Sequence, residues 1–397
     1  MTYPAFIPFN YRHLTGAFLL SALFLGGKAQ AQVDFYVSET AQSTSNSATT
    51  ILEFTFNPFT DTATQIGTFT PTGVLGGSSP EEGGLQFTGN GDSLSYSGFN
   101  SAGKSTEVLF TPSTDTFNST SLTSNGTIRN SYYGTSTSGI NGFFSATGSQ
   151  ALGFVAQTTG TTTASVVSND TNATGAAGSS ALDVSYNSGT QNLYYTRNST
   201  VTSGVYTPSQ SGSGLLASPV TYTQLSGSGW NTSQVTTGGV TTNADLYTGM
   251  AFLGTSSLFV ADTTKDTLDL FTAANPDETN DWNLKFSLSL STLTTEDIEQ
   301  ISVHPLSATT ADIFFTTDGT SAGAMSPLGG TSTVDEVSYN SSTGFGTPTI
   351  LESSSTESFT GVAAVPEPGT WAMFGLGLGL MVLMLARKKA GRKNLLG

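Results

Sequence analysis

A strand–turn–strand phrase recurs along this chain, and each end of the chain holds half of one more copy. The phrase is an apolar pair, a polar turn with Gly or Ser, and a second run rich in β-formers. It appears as GLQFTGNGDSLSYSG (84–98), GFFSATGSQALGFVA (142–156) and DVSYNSGTQNLYYTR (183–197). It returns as GMAFLGTSSLFVADT (249–263) and ISVHPLSATTADIFFTT (301–317). Each reads as a hairpin, because alternation puts apolar side chains on one face of a strand and the residues between supply turn geometry. The second strands begin near Leu94, Leu152, Leu193, Leu258 and Ile313, 41 to 65 residues apart, within reach of a four-stranded propeller blade with insertions. TLDLFTA after Thr263 and VDEVSYN after Thr333 read as further strands. GVAAV (361–365) matches a first strand with no second after it, and VDFYVSE (33–39) a second strand with no first before it. Paired, they complete one unit and remove the open edges that burden all-β folds.

The expected fold is therefore all-β: a β-propeller of about six blades closed by the N- and C-terminal strands. A pair of β-sandwiches or an irregular β-solenoid is the competing architecture. The β-rich region is expected to span residues 32–351, with a linker at ESSSTESFT (352–360) and a closing strand near 357–365. TTGTTTASVVSNDTNATGAAGSS (158–180) is low-complexity and reads as a long surface loop. Composition agrees, since 53 Ser and 66 Thr make up 30% of 397 residues and 45 are Gly, which favours strands and turns over helices. With 36% hydrophobic residues, including 25 Phe, there is enough apolar material for a core. Cysteine is absent, so disulfides, thiolate metal sites and cysteine nucleophiles are excluded.

Charge separates the chain into regions. Residues 32–365 carry 27 Asp and Glu against Lys104, Arg129, Arg197, Lys265 and Lys285, a net of −22. Such a surface repels phosphates and anionic lipid, so nucleic acid is not an expected partner. The first 31 residues have a different character. Arg12 precedes an apolar run from Leu14 to Gly27, and Ala29-Gln30-Ala31 places small residues where signal peptidase reads them. Residues 1–31 are read as an export signal cut after Ala31.

At the other end, Trp371 to Ala386 contains no charged residue. Sixteen helical residues rise about 24 Å, slightly short of a hydrocarbon core of about 30 Å. Trp371 can sit at one interface, and Arg387, Lys388 and Lys389 should stay cytoplasmic, giving an inner-membrane helix over 371–386 with the rest outside. Immediately before it, Pro366 and Pro368 bracket Glu367 in a stiff, extended segment, suited to threading into a processing enzyme. VPEPGTW, a Gly-rich hydrophobic helix and a closing Arg/Lys cluster, together 365–393, resemble the PEP-CTERM sorting domain. The resemblance covers only about the last thirty residues, and the tail runs eight residues beyond Lys389. It implies a substrate of exosortase in Gram-negative bacteria that make exopolysaccharide. Such substrates are exported, cleaved near Pro-Glu-Pro, and released or attached at the surface or in the matrix.

Catalysis finds little support in the residues. His304 is the single histidine after residue 31, and histidine-based zinc sites are excluded by number. His304 before Pro305 is read as structural or superficial. Asp262, Asp266 and Asp269 in VADTTKDTLDLF are weak candidates for Ca²⁺ or for glycosidase chemistry, as are Asp277, Glu278 and Asp281. Trp230 and Trp282 suit either a sugar-stacking face or the core. No cofactor is expected. The reading is a non-enzymatic surface or matrix protein, associated with exopolysaccharide and processed by signal peptidase and an exosortase-like enzyme. The alternatives are a secreted carbohydrate-active hydrolase or lyase and a calcium-dependent adhesion module.

Overall fold

The computed structural model describes residues 32–41, 49–71, 84–88, 91–99, 105–121, 127–135, 141–148, 153–158, 165–169, 180–187, 190–198, 201–209, 221–290, 296–321 and 331–365. These residues form antiparallel sheets in chain order. Blade one holds β1 (Val33–Ala41), β2 (Thr50–Asn57) and β3 (Thr62–Phe69). Blade two is β4 (Leu85–Phe87), β5 (Leu94–Phe99), β6 (Ser105–Thr111) and β7 (Thr116–Ser121). Blade three is β8 (Thr127–Thr135), β9 (Asn141–Gly148), β10 (Gly153–Thr158) and β11 (Ser165–Asn169). Blade four is β12 (Ser180–Asn187), β13 (Asn192–Asn198), β14 (Gly204–Pro208) and β15 (Tyr222–Gln224).

A separate hairpin, β16 (Val235–Thr237) and β17 (Val240–Thr242), comes next. Blade five follows with β18 (Tyr247–Leu253), β19 (Ser257–Asp262), β20 (Thr267–Ala273) and β21 (Trp282–Ser289). Blade six has β22 (Glu296–Pro305), β23 (Thr310–Ser321), β24 (Ser332–Asn340), β25 (Gly344–Phe345) and β26 (Thr349–Ser354). The last strand, β27 (Glu357–Ala364), returns to blade one, whose order is β27-β1-β2-β3.

The first strand of each blade faces the axis. β4 touches β8, β8 touches β12, β12 touches β18, β18 touches β22, β22 touches β27, and β27 touches β4. The ring is closed, and among the described residues it has six blades. Closure is the expected one: β27 pairs antiparallel with β1 from Phe35↔Ala364 to Ala41↔Glu357, with a bulge between Ser38 and Glu39. GVAAV is thus a first strand completed by VDFYVSE from the other end of the chain.

Aromatic side chains fill the seams between blades. Phe314 of blade six stacks on Phe35 at 4.8 Å and meets Phe56 edge-on at 5.5 Å, both from blade one. Around them Val33, Val37, Phe54, Val334, Phe359 and Val362 are buried. The seam between blades one and two is built from Tyr36, Ile51, Leu85, Tyr96 and Phe110. Trp282 is fully buried, and Trp230 stacks on Phe271 with ring centroids 3.7 Å apart. Both tryptophans belong to the packing of blades four and five, not to a sugar platform.

Three segments depart from expectation. Residues 352–360 are no linker: Glu352–Ser354 end β26, Glu357 opens β27, and Ser355 and Thr356 alone turn between them. Serine and threonine hid the alternation because their hydroxyls serve here as interior hydrogen-bonding groups. Ser38 Oγ lies 3.1 Å from Thr360 Oγ1, and the amide of Phe359 donates to Ser332 Oγ at 2.8 Å. Likewise Ser165–Asn169, inside the low-complexity stretch, forms the outer strand β11. The 142–156 phrase supplies β9 and β10, the second and third strands of blade three. Its first strand, β8, carries a bulge between Ile128 and Asn130 that breaks the two-residue period. The export signal (1–31) and the helix expected over 371–386 lie outside the described residues, among which no helix is long and apolar enough to cross a membrane.

Candidate functional site at the ring closure

Near the axis, side chains of one blade bond the main chain of another. The Gln300 amide accepts from Leu85 N–H at 2.9 Å and donates to the Leu85 carbonyl at 3.0 Å, pairing with β4 as a peptide group would. The same Oε1 accepts from Val362 N–H at 2.9 Å. Asp183 accepts from Met250 N–H at 2.7 Å and from the Gln86 side chain at 3.3 Å, linking blades four, five and two.

These contacts culminate where the chain leaves the ring. Gln300, Ser302 and His304 alternate along β22, so they share one face. Ser302 Oγ accepts from Ala364 N–H at 2.9 Å. His304 Nδ1 lies 3.1 Å from the Val365 carbonyl oxygen. A carbonyl only accepts, so Nδ1 carries the proton. Val365 N–H in turn donates to the Asp34 carbonyl at 2.8 Å. The three β22 side chains form a clasp on the edge of β27 that faces away from β1. His304 is 5% exposed and is structural, with its ring committed to this contact.

Beyond Val365 come Pro366, Glu367, Pro368, Trp371, Arg387, Lys388 and Lys389, which lie outside the described residues, as do Ala29 and Ala31 at the other end. β1 begins two residues after Ala31 and β27 ends two residues before Pro366, and the two strands are paired.

The acidic candidates are placed differently from one another. Asp262 and Asp269 are buried, whereas Asp266 takes the left-handed turn position (φ 52°) between β19 and β20. Lys265 forms ion pairs with Asp262 at 3.0 Å and with Asp245, and Ser287 Oγ donates to Asp269 at 2.6 Å. Burial pushes the Asp262 carboxyl up to about 7 against the pull of Lys265. Among the described residues no three His, Cys, Asp or Glu side chains are grouped to hold a metal ion.

Sequence reasoning missed a second set of acids. Asp312 and Glu336 lie on adjacent strands of blade six, flanking Phe314, whose register partner is Glu336. They are 3% and 4% exposed, and Asp312 Oδ2 is buried without a hydrogen-bond partner. Burial raises Asp312 to about 6, helped by Asp61 from blade one. Burial, with Asp312 and Asp61, raises Glu336 to about 8. Asp335 rises to about 7 through burial, and Glu39 to about 7 through burial with Glu357 and Glu352 beside it. The available signal was an acid inside an alternating apolar run, as in ADIFF and VDEVSY.

Comparison with known proteins gives one family match. Residues 364–389 match the PEP-CTERM protein-sorting motif. Curated proteins give no match. Among solved structures, a protein from Lactobacillus plantarum aligns with TM-score 0.50 at 13% identity, covering 84% of this chain and 99% of that one. TolB from Acinetobacter baumannii aligns with TM-score 0.50 at 13% identity, covering 89% of this chain and 71% of that one. The periplasmic gluconolactonase PpgL of Pseudomonas aeruginosa gives TM-score 0.47 at 12% identity over 85% of this chain and 100% of that one. At such identities the likeness concerns the fold alone. The chain carries a PEP-CTERM sorting motif on a six-bladed β-propeller.

Proposed function

We propose that this is a non-enzymatic exported protein of the cell surface or extracellular matrix, associated with exopolysaccharide. Signal peptidase removes residues 1–31, the helix over 371–386 holds the chain in the inner membrane with its C-terminus cytoplasmic, and an exosortase-type enzyme processes it at Pro366-Glu367-Pro368. The observation that carries this reading is the sorting motif, matched over 364–389 and beginning at the last residue of the closing strand. The non-enzymatic part is supported by how polar side chains are spent. His304, Gln300 and Asp183 are committed to the main chains of neighbouring blades, and the raised carboxyls Asp312 and Glu336 are shut inside a seam.

The test is the intact mass of the protein taken from its native surface or medium. A chain beginning at Gln32 and ending between Pro366 and Gly369 supports both processing events. A chain still carrying Trp371 to Gly397 makes it an ordinary single-pass membrane protein. Turnover of matrix polysaccharides by the folded protein would replace the non-enzymatic reading with a carbohydrate-active one.

A further inference from the structure

The hairpin β16–β17, between blades four and five, stands clear of the ring. Every residue from Ser233 to Asn243 is exposed, with Val235 at 52% and Val240 at 69%. A Cβ built on Gly238 or Gly239 at its tip would meet no described atom within 4 Å. A lone two-stranded hairpin is marginal in water. This one is held at both ends. Gly238 (φ 61°) and Gly239 (φ 82°) supply the two positive φ angles of a tight type I′ turn. At the base, Asp245 N–H donates to the Asn231 carbonyl at 2.9 Å. The side chains of Gln234 and Asn231 donate to Asn243 at 2.7 and 3.1 Å.

The two edges of the hairpin differ. Gln234 N–H donates to the Val201 carbonyl at 2.8 Å, and Thr202 bridges Ser233, so neighbouring chain lies along the β16 side. Among the described residues β17 has no strand beside it except β16. Because Thr237↔Val240 closes the two-residue turn, the next pair, Thr236↔Thr241, directs its main-chain N–H and C=O groups outward. Thr241 therefore offers its main chain to a further strand. Natural sheet edges are blunted by charge or proline, and Ser226 to Asn243 contain neither. Charge also limits what can take up the edge. Residues 32–365 carry a net −22, so a second copy meets least repulsion across an uncharged element. A charged ligand finds no counter-charge on the hairpin. An uncharged strand edge beside a Val stripe is matched by the same element of another molecule.

We propose that β17 is the contact through which this protein pairs with a second copy of itself, two-fold and antiparallel, with Thr241 opposite Thr241. The result is a four-stranded sheet, β16-β17 of one copy followed by β17-β16 of the other. Val235 and Val240 share one face of the hairpin with Thr237 and Thr242, and the pairing carries that face from one copy into the next. Three residues per strand bury far less than the roughly 1,200 Å² of a stable interface. The pair is therefore weak and reversible, and forms where copies are crowded together.

The chain has no cysteine, so a single introduced thiol reports on a single position. The experiment is cross-linking with diamide of the full-length chain produced in its native host. The variants are Thr241→Cys, Thr241→Cys/Val240→Asp and, as an exposed control on blade two, Ser113→Cys. Directly opposed residues of antiparallel strands lie about 5.5 Å apart at Cα, within reach of a disulfide. Thr241→Cys should give a linked pair of twice the chain mass at about tenfold the yield of Ser113→Cys. Val240→Asp, which puts a carboxylate into the shared stripe, should remove most of that excess. The altered side chains are all exposed, so the fold survives, and maleimide labelling shows that each thiol is free to react. The linked share should rise as ionic strength goes from about 0.01 to about 0.15 M, because salt screens the repulsion between acidic bodies and leaves the uncharged contact. Equal yields from Thr241→Cys and Ser113→Cys, with both thiols labelled, would overturn the pairing. So would a linked share that Val240→Asp leaves unchanged or that falls with salt. A cross-linked product containing a different protein would overturn the second copy as the occupant.

Discussion

Glu336 holds its proton up to about pH 8 because burial, Asp312 and Asp61 all disfavour its charge. Asp312, beside it, is raised to about 6 for the same reasons in weaker form. Charging either one places an ion in a seam otherwise made of Phe314, Phe35 and Phe56. Glutamine matches the shape of glutamic acid without the charge. Glu336→Gln is therefore expected to raise Tm at pH 8 by roughly 1–2 °C, about 1 kcal/mol in a chain of this size, and to leave it nearly unchanged at pH 5. Thermal scans of both proteins at both pH values check this. An equal loss of Tm at the two values would show that the carboxyl makes bonds glutamine cannot replace.

At the level of elements, the segment after β15 shows how a loop-like sequence becomes an edge guard. SGSGW reads as flexible turn chemistry, yet Trp282 N–H donates to the Ser226 carbonyl at 3.1 Å and Leu284 N–H to that of Ser228 at 2.9 Å. The segment thus covers part of β21, the outer strand of blade five, and removes a surface open to pairing with another chain. Gly227 makes the approach possible: at φ +150°, a Cβ there would sit 2.0 Å from the Trp282 carbonyl oxygen. Gly227→Ala should lower stability by at least about 2 kcal/mol, with faster amide exchange at Trp282 and Leu284. Unchanged exchange at those two amides would mean that the segment covers nothing.

The same contrast explains what the sequence made legible. The hairpins that open blades two, four, five and six fall where the phrases put them, and the register shifts in β12, β18 and β22 lie on the far side of the strand from the turn. Elements built on hydroxyls or glycine contacts, such as β26 and the Ser226–Gly229 cover, show no such phrase. The candidate site divides the same way. Pro366-Glu367-Pro368 is a local pattern and can be read directly, whereas the clasp joins residues about sixty positions apart and exists only once the ring closes.

For the molecule as a whole, buried acids and net charge make one electrostatic case. Glu39, Asp262, Asp312, Asp335 and Glu336 are all raised, to values from about 6 to about 8. Each binds its proton more tightly in the folded chain than in the unfolded one. Between about pH 4 and pH 8 the folded state therefore holds more protons, and stability falls as pH rises through that interval. Self-repulsion acts in the same direction, because residues 32–365 carry a net −22 that acidification reduces. The propeller should melt at a higher temperature at pH 5 than at pH 8. The exposed part of that repulsion is screened by salt, while the desolvation of seam carboxyls is not. Raising ionic strength from about 0.01 to about 0.15 M, where the Debye length falls from roughly 30 to roughly 8 Å, should narrow the gap between pH 5 and pH 8 without closing it. Calorimetry over that grid separates the causes. A gap that vanishes in salt assigns the whole effect to surface charge. A gap that persists assigns the remainder to the seams, where Glu336→Gln should remove part of it.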